Sequence, residues 1–184
     1  RMLKDFTSTS SIIKMYYYYF KHKKLTKKIP YAKPKNCLKV GIIGELYTAM
    51  EPFATYFLEK ELAKMHVEIK RYTNLSYLLW QKKFMQRHML RTTKNYCKYS
   101  LGADGLDNVY RTIKLINKSY DGIIHTKPFG CTPEIGAIPI IQKICQEKEM
   151  PIIFFSYYVE TSDEGIKTRL EAFEDLIKIR RMKK

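Results

Sequence analysis

The chain has 184 residues and 45% hydrophobic content, enough for one ordinary domain with a real core and an appendage. Its formal charge of +16, from 34 basic against 18 acidic residues, points first to anionic partners. The sequence shows no RNA-recognition aromatic motif, zinc finger or helix-turn-helix, so the lysines read as solvated faces and nucleic-acid binding is not expected.

No run is long and apolar enough to cross a bilayer, and the N-terminus has no secretory h-region. The first residue is Arg1 rather than methionine, as expected of a processed or partial chain. Cys37, Cys97, Cys131 and Cys145 form no CxxC pair. Neither a disulfide framework nor a complete zinc site is expected, and a reducing, cytoplasmic setting is the default.

In chain order, Phe6 to Lys24 predicts a tyrosine-rich helix that ends in a basic cluster. Pro30 and Pro34 punctuate a linker, so residues 1–36 read as a helical, basic appendage and 37–184 as a compact α/β domain. Leu38 to Gly44 reads as a buried strand closed by glycine. Pro52 suits a first helical turn, and Phe53 to Met65 is helix-like with Phe53, Phe57, Leu58 and Leu62 on one stripe.

Val67 to Tyr72 alternates as a second strand. Ser76 is the expected N-cap of a helix running to about Arg91, with Leu78, Leu79, Trp80 and Phe84 expected in the core. Residues 92–105 look irregular, with Gly102 and Gly105 as breakers. Leu106 to Lys118 is an amphipathic helix and Asp121 to Thr126 the third strand. Ile135 to Glu149 is a helix, Met150 to Tyr157 the fourth strand, and Asp163 or Glu164 to Arg181 the last helix. Strands alternating with helices predict a parallel sheet of about four strands with helices on both faces, a flavodoxin-like or Rossmann-like α/β fold.

Three loops then share the carboxyl edge of the sheet, where open α/β sheets bind ligands: 44–51, 127–134 and 157–165. Gly44 would let backbone approach a ligand and Glu45 would face it; a plain strand-to-helix turn is the alternative. Neither GxGxxG nor GxxxxGK[ST] occurs. In Pro128-Phe129-Gly130-Cys131-Thr132-Pro133-Glu134 the prolines stiffen a loop at the mouth of a helix, whose N-terminus favours a thiolate. Cys131 as a nucleophile would want His125; as a metal ligand it would want partner thiolates; as a packed residue it needs nothing. His66 and His88 are expected to be solvated. Cys37 and Cys145 are expected to be structural.

The same loop resembles the PFxCMPE segment of proteins related to the activators of 2-hydroxyacyl-CoA dehydratases, a group that includes dehydratase subunits and double-cubane iron–sulfur reductases. Gly44-Glu45-Leu46-Tyr47 is similar to that family's GEIY element. Leu101-Gly102 and Gly105, then Tyr120-Asp121-Gly122-Ile123-Ile124, resemble its glycine segment and YDGVI strand, and Thr168 to Phe173 resembles its TRLEAF helix. The ordered set spans about Leu38 to Ile177.

The resemblance implies a flavodoxin-like domain related to the CoA-enzyme activases. It implies a [4Fe–4S] cluster for low-potential electron transfer, with Cys131 as one metal ligand and Gly44, Glu45, Pro128 and Phe129 as the residues around it. It also implies a further domain or related subunit carrying the other ligands, and an ATP-dependent activator as electron donor. Thr132 stands where the family has Met, and Thr161 to Gly165 departs from its TGEAG segment. Dehydration by the isolated chain is therefore not expected. A structural or partner-docking domain without a cluster is the alternative; a basic nucleic-acid-binding module, resting on charge alone, is the third.

Overall fold

A computed structural model describes residues 2–30, 34–74, 77 and 82–183. The chain divides into two compact units, Arg1–Lys35 and Asn36–Lys184. In the first, the single helix expected over Phe6 to Lys24 is two: α1 (Met2–Thr7) and α2 (Ile12–Lys27). The break falls on Ser8 to Ser11. There hydroxyls take over backbone groups: the Ser8 hydroxyl donates to the Asp5 carbonyl at 3.0 Å and the Ser11 amide donates to Thr9 Oγ1 at 3.2 Å. His22 and Asp5 join α2 to α1 through a 2.8 Å contact.

The second unit holds a parallel sheet of β1 (Lys39–Gly44), β2 (Glu68–Arg71), β3 (Gly122–Pro128) and β4 (Ile152–Tyr157), in the order β2-β1-β3-β4. This is the doubly wound order whose switch point lies between β1 and β3. The remaining helices are α3 (Leu46–Met50), α4 (Leu58–Lys64), α5 (Lys82–Thr93), α6 (Gly105–Asn117), α7 (Thr132–Glu147) and α8 (Asp163–Met182).

Successive strand residues feed opposite faces. Val40, Ile42 and Ile124 pack with Leu58 and Leu62 of α4 and with Ile166, Leu170 and Phe173 of α8. Ile43 and Ile123 pack with Val109 and Leu115 of α6 and with Ile141 and Ile144 of α7. α5 lies outside α6, with Met89 against Leu106 and Tyr110. None of the described helices is long and apolar enough to cross a membrane.

Two expected helix starts move, and one expected core residue is exposed. The helix foreseen from Phe53 begins only at Leu58, because Tyr56 and Phe57 take left-handed conformations (φ 52° and 54°) that end a turn after Pro52. Phe53 is 77% exposed and off the core stripe, while Leu58 and Leu62 are buried on it. The α7 helix starts at Thr132, three residues early, because Pro133 fits within its first turn. Phe84, expected in the core, is 84% exposed. The expected N-cap Ser76 and core residues Leu78, Leu79 and Trp80 lie outside the described residues.

Candidate functional site

The switch point brings the ends of β1 and β3 together. Gly44 pairs in register with Thr126, and the Glu45 amide donates to the Thr126 carbonyl at 2.9 Å. β3 then runs into the cysteine loop. The Phe129 amide donates to the Tyr157 carbonyl at 3.0 Å, which ties this loop to the end of β4. Lys127, itself buried, turns its ammonium onto the Phe129 carbonyl at 2.9 Å and closes the loop from beneath. Phe129 is left 70% exposed beside Tyr158, with ring centroids 6.0 Å apart.

Cys131 is the N-cap of α7, half-buried, with no side-chain hydrogen bond capping the helix. Its thiol is held above the ordinary cysteine range. Burial is the main cause; the Glu134 backbone amide facing the sulfur opposes it, the carboxyl charges of Glu134 and Glu45 add to it, and Lys127 subtracts. The thiolate expected from the helix N-terminus is thus outweighed in this chain by desolvation and two neighbouring acids.

Glu45 does not point outward as expected of a ligand-facing acid. Its carboxyl group caps α3, accepting from the Tyr47 and Thr48 amides at 2.9 and 2.8 Å and from the Thr48 hydroxyl at 2.7 Å. Gly44 and Glu45 therefore reach the Cys131 region by backbone and by charge. The α3 helix is tied on as well, since the Leu46 amide donates to Asp104, which also binds Lys82.

Beneath the loop lies a fully buried polar cluster. Asn108 of α6 accepts the Gly44 amide at 3.1 Å and donates to Glu134 Oε1 at 2.8 Å. His125 Nε2 and Glu134 Oε2 share a 2.6 Å hydrogen bond. His125 Nδ1 is buried with no partner among the described residues. The histidine weighed as a base for Cys131 is thus committed to Glu134. Sequence reasoning missed Asn108 and the inward aim of Glu134. The available signal was a histidine inside the apolar run Ile123 to Thr126, since a polar side chain on a buried strand needs a buried partner.

The other cysteines lie apart from this loop in the chain. Cys145 is buried on α7 and its thiol is pushed up to about 12 by desolvation. Cys97 is buried and donates to the Tyr99 carbonyl. Cys37 is half-buried, its sulfur 4.0 Å from Glu68. His66 and His88 are exposed. Among the described residues, no group of three or more histidine, cysteine or acidic side chains is placed to hold a metal ion.

A cavity of about 210 Å³ on the same edge, lined by Ile42, Met50, Phe57, Leu58, Arg71 and Thr126, is smaller than the usual ~300–1,000 Å³ of a site for a drug-sized ligand. A second, more open cleft of about 480 Å³, lined by Phe53, Tyr56, Phe57, Tyr157, Tyr158 and Asp163, lies at the end of β4, so the edge offers one accessible thiol on a fixed loop beside two clefts.

Searches of curated proteins and of solved structures return no match. The family model described as 2-hydroxyglutaryl-CoA dehydratase, D-component, matches residues 47–177. That span covers more than two thirds of the chain and runs from α3 into α8; it takes in the Cys131 loop and stops short of Gly44 and Glu45. The chain belongs to the 2-hydroxyglutaryl-CoA dehydratase D-component family.

Proposed function

We propose that this chain is a dehydratase-family domain in which Cys131 supplies one thiolate to a [4Fe–4S] cluster used for low-potential electron transfer. The observation that carries this reading is the placement of Cys131. It is a half-buried thiol at the carboxyl edge of the sheet, on a loop fixed by Lys127 and by β4, inside the span that matches the family. A cluster of this kind is held by four thiolates, so the remaining ligands come from a further domain or a related subunit. Exposed apolar side chains on the loops of that edge, Tyr47, Phe129, Tyr158 and Val159, support docking of such a partner.

A thiol held above its ordinary range must give up its proton to bind iron, so iron uptake would be pH-dependent. When bound, the cluster would supply one-electron chemistry. Gly44, Glu45, Pro128 and Phe129 would shape the wall around it, with an ATP-dependent activator as the electron source. A second reading, a partner-docking domain without a cluster, is favoured by the engagement of the Glu45 carboxyl group in its own helix cap.

Anaerobic reconstitution with iron and sulfide, in the presence of the domain or subunit that carries the other ligands, separates the two. The cluster reading expects the broad visible absorbance of thiolate-bound iron, lost in Cys131→Ala and kept in Cys97→Ala. Equal absorbance in Cys131→Ala would remove Cys131 as a ligand and leave the docking reading.

A further inference from the structure

We propose that Glu134 is a positioning residue for Cys131: its buried carboxyl group, clamped between Asn108 and His125, fixes the first turn of α7 and with it the loop that presents the thiol. In the part that concerns the cluster, this inference rests on the ligand role proposed for Cys131. It does not need that role for its geometry.

Three elements meet at this one carboxyl group, and a fourth is linked to it through Asn108. Glu134 is the third residue of α7, and its backbone amide faces the Cys131 sulfur. One carboxyl oxygen takes the Asn108 amide of α6 at 2.8 Å; the other meets His125 of β3 at 2.6 Å. Through Asn108 the link continues to the Gly44 amide at the end of β1. The two loops of the candidate site, 44–51 and 127–134, are therefore joined by side chains that are all fully buried.

Stability alone does not account for this arrangement. Replacing a buried ion-pair-like contact by apolar groups is often neutral or stabilising, because desolvation offsets the attraction. Here the contact also leaves His125 Nδ1 without a partner among the described residues. What the cluster does secure is geometry: directional bonds of 2.6–3.1 Å hold α7 at one rotation and one height against β1, β3 and α6. An N-terminal turn held only by apolar packing would be free to slide or fray at the loop that carries Cys131.

The test uses the whole chain and reads Cys131 itself by mass-mapped alkylation at one fixed pH, with Cys145 as internal control. Glu134→Ala removes both clamps and should speed Cys131 alkylation about tenfold while Cys145 stays protected. Glu134→Gln keeps the Asn108 bond and should stay within about twofold of the parent, which is the rescue that a general packing defect would not show.

Asn108→Asp covers the case in which Glu134→Ala does not fold. It keeps the acceptor for the Gly44 amide and sets an acid against Glu134, and should accelerate Cys131 as Glu134→Ala does. Unchanged Cys131 rates in Asn108→Asp, or Cys145 rising in step with Cys131, would overturn the proposal. Iron–sulfur absorbance measured on the same variants separates the two ideas. Full absorbance in Cys131→Ala ends the cluster reading and leaves the alkylation result standing. Accelerated alkylation in Asn108→Asp with undiminished absorbance confines Glu134 to positioning the thiol.

Discussion

Gly44 shows how far single atoms constrain the site. Its φ of 141° lies where L side chains are strained, and a Cβ there would sit 1.9 Å from the Thr126 carbonyl oxygen. The obstacle is backbone of the neighbouring strand, so it cannot rotate away. The Gly44 amide is also spent on Asn108, which ties the glycine to the cluster under the cysteine loop. Gly44→Ala should therefore lower stability by about 3 kcal/mol, the sum of a strained backbone and a forced shift of β3. Denaturant unfolding measures this directly. A loss under about 1 kcal/mol would mean that the strand ends relax, and that the close approach of β1 to β3 is not a fixed feature of the site.

At the scale of elements, the alternation of strands and helices was readable because three strands carry continuous apolar runs, Val40 to Ile43 and Ile123 to Ile124 fully buried and Ile152 to Phe155 partly so, while β2 alternates. The carboxyl edge, and the three loops that meet there, followed from that alternation. Two things did not. The left-handed Tyr56 and Phe57 answer to packing around α4 and β4, where the Tyr56 hydroxyl donates to the Thr161 carbonyl at 2.6 Å, and no local signal in the sequence announces such a contact 105 residues away. The inward turn of Glu134 was equally hidden, since an acid in the first turn of a helix usually faces water and the dipole.

The glycine segment before α6 was legible as a motif but not as geometry. Gly105 lies where a Cβ would meet the Pro133 carbonyl oxygen at 2.8 Å, so it lets the start of α6 approach the start of α7. Gly105→Ala gains about 1 kcal/mol of helix propensity and incurs about 1–3 kcal/mol of overpacking against backbone. The obstacle is backbone, so the second term wins, and a net loss of up to about 2 kcal/mol is expected in chemical unfolding. A stabilised variant would show that α6 and α7 can part at no cost.

Across the whole molecule the charge is uneven. Ten of the 34 basic residues and only one of the 18 acidic residues lie in the first 35 positions, so more than half of the net +16 belongs to the helical unit. Within it Asp5 is the lone acid, and it serves both Lys21 at 3.6 Å and His22 at 2.8 Å. Lys23, Lys24, Lys27 and Lys28 follow within less than two turns of α2 and its C-cap, where the helix dipole welcomes a cation but mutual repulsion grows with each one added. The ion pairs of the α/β unit, such as Lys64–Glu61 and Lys178–Glu174, join exposed lysines to acids one helical turn away and contribute little each. Salt therefore has more repulsion to remove than attraction. The screening length falls from about 30 Å at 0.01 M to about 8 Å at 0.15 M. Raising the ionic strength over that range should raise Tm by about 2–4 °C, the shift that ~1 kcal/mol produces in a chain of this size. The helical signal should gain most, because the helical unit holds the densest unpaired charge. A Tm that falls with salt would mean that the local ion pairs outweigh the net charge, and that the basic helices are stabilised by contacts other than those between α1 and α2.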